Sequence, residues 1–249
     1  MQKLVGLVRR CVQDYSMIVP GDRVAVGISG GKDSLVLLTL LAALRDYDPE
    51  KFTLDAITID MGLGMDYTGV EAMCRELGVR YTRIPTEIGP IIFDYRKEKN
   101  PCSLCAKMRR GALNQAVRDL GCNKVALGHH YDDAVETFLM SLLFEGRISC
   151  FQPVTVLDRS GVTQIRPMLY IREETLAHFA QRQKLPVLEN RCPADKHTKR
   201  AEVKELIYTL SRTYPALKER IFGAMQRFPL PAWEPQGPYK CPRDEGDEG

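Results

Sequence analysis

Residues Gly27 to Ser34 read Gly-Ile-Ser-Gly-Gly-Lys-Asp-Ser, between the apolar run Val24-Ala25-Val26 and an apolar helical stretch that starts at Leu35. A strand, a glycine-rich turn and a helix start, in that order, make a phosphate cradle. Backbone N–H groups from Ser29, Gly30, Gly31, Lys32, Asp33 and Ser34 can surround one anion, and the positive end of the helix adds to them. Gly30 and Gly31 allow close approach, and Lys32 supplies a cation. The spacing departs from a Walker A loop: only three residues separate Gly27 from Gly31, and Asp33 stands where a magnesium-binding Ser or Thr would be. The expected chemistry is therefore nucleotide binding without γ-phosphoryl transfer. A plain Ser-Gly-Gly turn with Asp33 as helix cap is the structural alternative.

Two further groups could do chemistry. Gly128-His129-His130-Tyr131-Asp132-Asp133 follows a short apolar run. Its carboxylates suit magnesium, which takes one or two carboxylates beside phosphate oxygens, although Asp132 could equally cap the next helix. The histidines could simply pack or hydrogen-bond at a strand end. The second group is Cys102-Ser103-Leu104-Cys105. Two thiolates three positions apart reach one metal site, which fits zinc, redox chemistry or an iron–sulfur cluster.

Positioning these groups requires elements that end beside one another. Apolar runs recur at Val24 to Ile28, Leu54 to Ile59, Val79 to Ile84 and Lys124 to Leu127. Between them, helical spacing predicts helices at Ser34 to Arg45, Tyr67 to Leu77, about Cys105 to Leu120, and Asp133 to Leu143. That alternation predicts an α/β fold, a Rossmann-like doubly wound parallel sheet with a helical C-terminal extension. Ligands of such sheets sit beyond the carboxyl ends of the strands, at the reversal of strand order. The loop at Ser29, the pair Ile59 and Asp60, and the Gly128 segment all fall at such ends. The expected organisation is an N-terminal helical segment over 1–22, a nucleotide-binding domain over 23–190 carrying the cysteine pair, a basic helical region over 191–228, and a proline-rich, acidic disordered tail over 229–249.

The chain has 249 residues, 44% of them apolar and 27% charged, and a net charge of +3. That charge is too small to establish a nucleic-acid partner by itself. No segment approaches a membrane span and no signal peptide is legible, so the expected location is the cytoplasm, with no membrane partner. Thiols there stay reduced, so the eight cysteines are expected to serve metal or redox chemistry rather than a disulfide framework. Cys74 and Cys122 read as buried small side chains, while Cys11, Cys150 and Cys241 have no neighbouring partner.

Ser-Gly-Gly-Lys-Asp-Ser at 29–34 resembles the PP-loop of ATP pyrophosphatases, which split ATP between the α- and β-phosphates to adenylate a substrate. Cys102-x-x-Cys105 followed by Arg109-Arg110-Gly111, and Gly128-His129-His130 followed by Asp132-Asp133, narrow the likeness. They resemble the tRNA 2-thiocytidine synthetases, and the similarity extends over about residues 1 to 230, including Arg166-Pro167-Met168-Leu169-Tyr170. The resemblance implies ATP and Mg²⁺, a tRNA substrate thiolated at C2 of a cytidine, position 32 of the anticodon loop being expected, and a sulfur donor such as a cysteine desulfurase or sulfide. It implies a four-iron four-sulfur cluster on three cysteines. Cys192, after the apolar run Leu185-Pro186-Val187-Leu188 that ends like a strand, corresponds to the family's third ligand beside Cys102 and Cys105. It also implies catalytic roles for Asp33, Arg109 and Asp133 and an ATP-binding set of Ser29 to Ser34, Ile59, Asp60, Gly128, His129 and Asp133, with Asp132 a magnesium candidate.

Rival readings stay open here. Cys102, Cys105, Cys192 and His197 would also make a structural zinc site, and Arg109 could be half of a surface ion pair. Asp132 to Leu139 is similar to lysidine synthetases too, and the uridine thiolases of tRNA share the loop and the three cysteines. A nucleotide- or metal-sensing RNA-binding protein is the non-enzymatic alternative. Basic stretches at Lys107 to Arg110, Lys196 to Lys204 and Arg212 to Arg227 suit an RNA backbone. Tyr208, Tyr214, Phe222 and Phe228 could stack on bases, or Tyr208 and Phe222 could fill the buried faces of two C-terminal helices. A symmetric homodimer is an open expectation that no visible heptad or large apolar tail supports.

Overall fold

Along β1 (Asp22–Gly27), Val24 and Val26 point to one face and Ala25 to the other, and all three are fully buried. Burial on both faces places this strand at the centre of a sheet covered by helices on each side. The computed structural model, which describes residues 1–47, 52–96, 101–157, 161–189 and 199–227, shows that sheet. It contains β2 (Phe52–Asp60), β3 (Arg80–Pro85), β4 (Lys124–Ala126), β5 (Val154–Leu157) and β6 (Val162–Ile165) in the order β3-β2-β1-β4-β6-β5. All pairings are parallel except β5 with β6. From β1 the chain proceeds to β2 and β3 on one side and returns to β4 on the other. The crevice for a ligand therefore opens between the ends of β1 and β4.

The helices are α1 (Gln2–Asp14), α2 (Lys32–Tyr47), α3 (Thr68–Glu76), the single turn α4 (Ile88–Pro90) that runs into a π-helical turn at Ile91–Tyr95, α5 (Pro101–Asp119), α6 (Tyr131–Glu145), α7 (Glu173–Arg182), α8 (Lys199–Thr213) and α9 (Leu217–Arg227). Helix α2 is apolar nearly all round, with Leu35, Leu37, Leu38, Leu40 and Leu41 fully buried, because β1, α1 and α7 enclose it. Val203 and Ile207 of α8 and Phe222 and Met225 of α9 belong to the same core. The opposite face of the sheet carries a smaller core, in which Val117 of α5 meets Ala25, Ile57 and Val125.

All four sequence-expected strands and the four helices between them are present. Three features differ from the sequence reading. Leu185 to Leu188 is irregular rather than a strand; it runs past the phosphate loop, and the Leu188 N–H donates to the Gly30 carbonyl at 2.9 Å. The hairpin β5–β6 was not expected, since four residues per strand are too few for periodicity to separate from loop. Tyr208 is 65% exposed, whereas Phe222 is buried as its helical position predicts. Cys74 and Cys122 are buried, as expected. The 229–249 tail and Cys241 lie outside the described residues.

Candidate active site

The parallel pairing of β1 with β4 sets the Ser29–Ser34 loop beside Gly128. Ser34 Oγ organises the loop: it accepts from the Ser29 N–H at 3.2 Å and donates to the Gly31 carbonyl at 2.9 Å. Gly30 has φ +83°, and a Cβ there would lie 2.7 Å from Leu188 Cδ1, so glycine is required both by conformation and by space. A Cβ on Gly128 would lie 3.2 Å from the Asp33 carbonyl carbon and the Ser34 nitrogen. Backbone packs on backbone at this point.

A cleft of about 880 Å³ opens above the loop. Ser29, Asp33 and Ser34 form its floor, Ile57 and Ile59 one wall, and Arg109 and Arg110 of α5 its roof. Gly128, His129 and Phe151 close another side. Asp33 Oδ1, His129 Nδ1 and Arg166 Nε are all buried in this cleft, and among the described residues none of the three has a hydrogen-bond partner. Buried polar atoms are normally paired, so three orphans in one cleft mark it as built for a ligand. Burial, aided by the Arg166 guanidinium, pushes the His129 imidazole down to about 4; the ring is neutral at physiological pH.

Lys32 Nζ lies 3.2 Å from Asp33 Oδ2 and 3.2 Å from Glu173 Oε1. Burial works against its charge, but these two carboxylates outweigh it and raise its affinity for the proton. Glu173 also holds Lys204 of α8 at 2.6 Å. Burial alone would raise Glu173, yet the two lysines hold it down at about 2.

The remaining sequence-expected residues stand around this cleft rather than in it. Asp60 is buried, pairs with Arg83 at 2.9 Å from Nε, and accepts from the Gly62 N–H. Asp132 is buried at the start of α6; one oxygen accepts from the Glu173 N–H at 2.7 Å and the other pairs with Lys218 of α9. Asp133 shares a capping box with His130, accepting from the His130 N–H at 3.0 Å, and its other oxygen meets Arg200 of α8 at 2.8 Å. Both carboxylates of the pair thus anchor the C-terminal helices. Cys102 is exposed and Cys105 half-buried on the first turn of α5, and neither is in a disulfide. Cys192 and His197 lie outside the described residues. Among the described residues no three His, Cys, Asp or Glu side chains converge on a metal position.

Sequence reasoning gave no role in the cleft to Glu173, Cys150, Phe151 or Arg166, and offered Arg110 only for an RNA backbone. Arg166 had a signal, since Arg166-Pro167-Met168 belongs to the resemblance without a role. Glu173 had none, because its contact with Lys32 spans 141 residues.

The model of the PP-loop domain matches residues 6–210. The chain is 37% identical over 228 residues to the tRNA-cytidine(32) 2-sulfurtransferase of Geobacter sulfurreducens, covering 90% of this chain and 89% of that protein. It is 39% identical over 230 residues to that of Geobacter metallireducens, with the same coverage. The chain belongs to the PP-loop family of tRNA-cytidine(32) 2-sulfurtransferases. A solved structure, the U34-tRNA thiolase NcsA from Methanococcus maripaludis with its [4Fe-4S] cluster, superposes with a TM-score of 0.71 at 26% identity, covering 90% of this chain and 77% of that one.

The PP-loop of this chain fits ATP by its N–H cradle and by the unpaired atoms of the cleft. The cysteine pair fits soft-metal ligation: residues three apart share one helix face, thiolates suit iron or zinc, and the helix N-terminus favours the negative charge they carry. The same helix brings Arg109 and Arg110 into the cleft one turn later.

Proposed function

We propose that this protein uses ATP to thiolate C2 of a cytidine in tRNA, position 32 being the target. One observation carries the reading: the phosphate loop, the orphaned Asp33 Oδ1 and His129 Nδ1, and the helix that starts with Cys102 and Cys105 border a single cleft. The cytidine O2 attacks the α-phosphate and expels pyrophosphate; sulfur at the sulfide level then attacks C2 and expels AMP. The loop N–H groups and Lys32 hold the pyrophosphate portion. Arg109 neutralises negative charge that grows at the α-phosphate. Asp33 Oδ1 is the oxygen available to a magnesium ion travelling with ATP, since both oxygens of Asp132 are engaged. Asp133 fixes the Gly128–His130 turn and the start of α8.

Cys102, Cys105 and Cys192 would hold a [4Fe-4S] cluster, which would supply the sulfur for the second step. The sulfur arrives as sulfide, or from a cysteine desulfurase as a persulfide that a thiol, as two-electron reductant, brings to the sulfide level. Exposed Tyr208 and Tyr214, beside basic residues of α8 and α9, suit contact with unpaired RNA bases and phosphates. Among the described residues no helix is long and apolar enough to cross a membrane; a tRNA substrate is what favours action in the cytoplasm. The exposed Leu142, Leu143, Phe144 and Ile148 at the end of α6 support pairing of two copies.

The test is the tRNA nucleoside profile of a deletion strain together with iron and sulfide analysis of anaerobically purified protein. Loss of 2-thiocytidine, restored by the wild-type gene but not by Cys102→Ser, is the expected result. Loss of lysidine or of a thiouridine instead would overturn the assignment, and a colourless protein with one zinc would overturn the cluster.

A further inference from the structure

Arg166 is the only lysine or arginine among the described residues that is buried as a whole, at 6% exposure. Burial of a cation normally brings a carboxylate with it. Elsewhere in this fold that rule holds in both directions: Lys124 pairs with Asp22 at 2.7 Å, Lys218 with Asp132, and buried Glu136 with Arg200. Among the described residues, Arg166 has neutral partners instead. Its Nη1 donates to the Gln152 carbonyl and to Thr155 Oγ1 at 3.1 Å, and its guanidinium lies 5.0 Å from the centre of the Phe151 ring, which meets the His129 ring at a tilt with centroids 4.8 Å apart. Its Nε is buried with no partner.

The residue that carries this unpaired donor borders the cleft. Arg166 follows β6 directly and lines the cleft together with Thr155 and Gln164 of the β5–β6 hairpin. The hairpin lies on the far side of β4 from β1, and therefore from the phosphate loop. Arg109 and Arg110 face the same cleft from α5. Among the described residues, three guanidiniums and one carboxylate, Asp33, line this chamber and give it an excess of positive charge. Only the guanidinium of Arg166 is fixed by a carbonyl, a hydroxyl and a ring, so it is already oriented before a ligand arrives. Burial lowers it to about 10, still charged at neutral pH.

We propose that Arg166 is a substrate-binding residue that holds a phosphate oxyanion on the β5–β6 side of the cleft, opposite the loop that holds the pyrophosphate of ATP. The inference rests on the thiolation reading, which brings two phosphate sources to this cleft: the α-phosphate of ATP and the backbone phosphate beside the target nucleotide.

The test measures equilibrium binding of α,β-methylene-ATP and, separately, of an unmodified tRNA transcript to wild-type protein, Arg166→Met and Thr155→Val. Arg166→Met keeps the bulk and removes the charge. A charge-assisted hydrogen bond predicts a loss of about ten- to a hundredfold in affinity. Loss for the nucleotide alone identifies the α-phosphate; loss for the transcript alone identifies the RNA phosphate. Thr155→Val, which frees the guanidinium from one anchor, shows a smaller loss for the same ligand. If Arg166→Met does not fold, the Thr155→Val result and the ¹⁵Nε–H signal of Arg166 in the wild type decide, because that signal shifts on addition of the ligand it binds. Folded Arg166→Met binding both ligands as the wild type does, or an unmoved Nε–H signal at saturation, overturns the proposal. Wild-type protein that binds neither ligand overturns the thiolation reading itself.

Discussion

Lys32 and Glu173 form an ion pair at 3.2 Å, and the second oxygen of Glu173 takes Lys204 at 2.6 Å. The lysine of the phosphate loop is thereby linked, through one carboxylate on α7, to the C-terminal helix α8. Asp132 and Asp133 add parallel links from α6 to Lys218 and Arg200. The C-terminal helices are held to the nucleotide site by charge as well as by their apolar faces.

Glu173 is held at about 2 by its two lysines, against the effect of its own burial. A carboxylate with a depressed value stabilises the fold above its unfolded value and loses that contribution as pH falls toward the folded one. Stability of the wild type should therefore fall between about pH 4.5 and about pH 2 in part through this group. Glu173→Gln should flatten that limb in acid-unfolding curves and weaken ATP binding at pH 7 by freeing Lys32 to move.

His129 shifts the opposite way from most histidines that gain a partner. Its folded value, about 4, lies below the ordinary 6.5, so the native state binds fewer protons than the unfolded chain between those values. Stability from this group is complete above about pH 6.5 and declines as pH drops toward 4. His129→Gln should remove this part of the pH dependence. The imidazole proton signals of His129 should stay in place from pH 8 to pH 5.

Asp132 is buried and satisfies both the Glu173 N–H and Lys218. Asp132→Ala leaves a backbone donor and an ammonium without their acceptor. A destabilisation of about 3 kcal/mol is expected from loss of one partner in such a pair, read by urea unfolding. Lys218→Met, at a side chain one-third exposed, should cost less.

Gly128 touches the phosphate loop backbone, and an added Cβ would meet Asp33 and Ser34 main-chain atoms at 3.2 Å. Main chain cannot swing aside as a side chain would. Gly128→Ala should push the loop out of register and weaken ATP binding by about tenfold or more, in line with the cost of ångström-scale misplacement. Gly146→Ala, where a Cβ meets open space, should leave ATP binding at the wild-type value and lose only the left-handed helix cap.

The sequence alone determined the parallel sheet, its four principal strands, the intervening helices and the phosphate loop, because each depends on local periodicity or on a turn that only glycine can make. It also singled out Ile59, Gly128, His129 and Arg109, which line the cleft. The tertiary structure alone decided what the charged residues do. Asp132 and Asp133 could be magnesium ligands or caps by sequence, and which oxygen meets Lys218 or Arg200 depends on helices that pack from far along the chain. The same holds for Glu173 on Lys32 and for Arg166 buried without a carboxylate. A hydrophobic pattern states which way a residue faces, but an ion pair, or the lack of one, exists only when distant segments meet. The Gly27–Ser34 octet was legible as a phosphate site; that it shares a cleft with three guanidiniums and a cysteine-bearing helix was settled by the packing of α5 and the β5–β6 hairpin over the sheet.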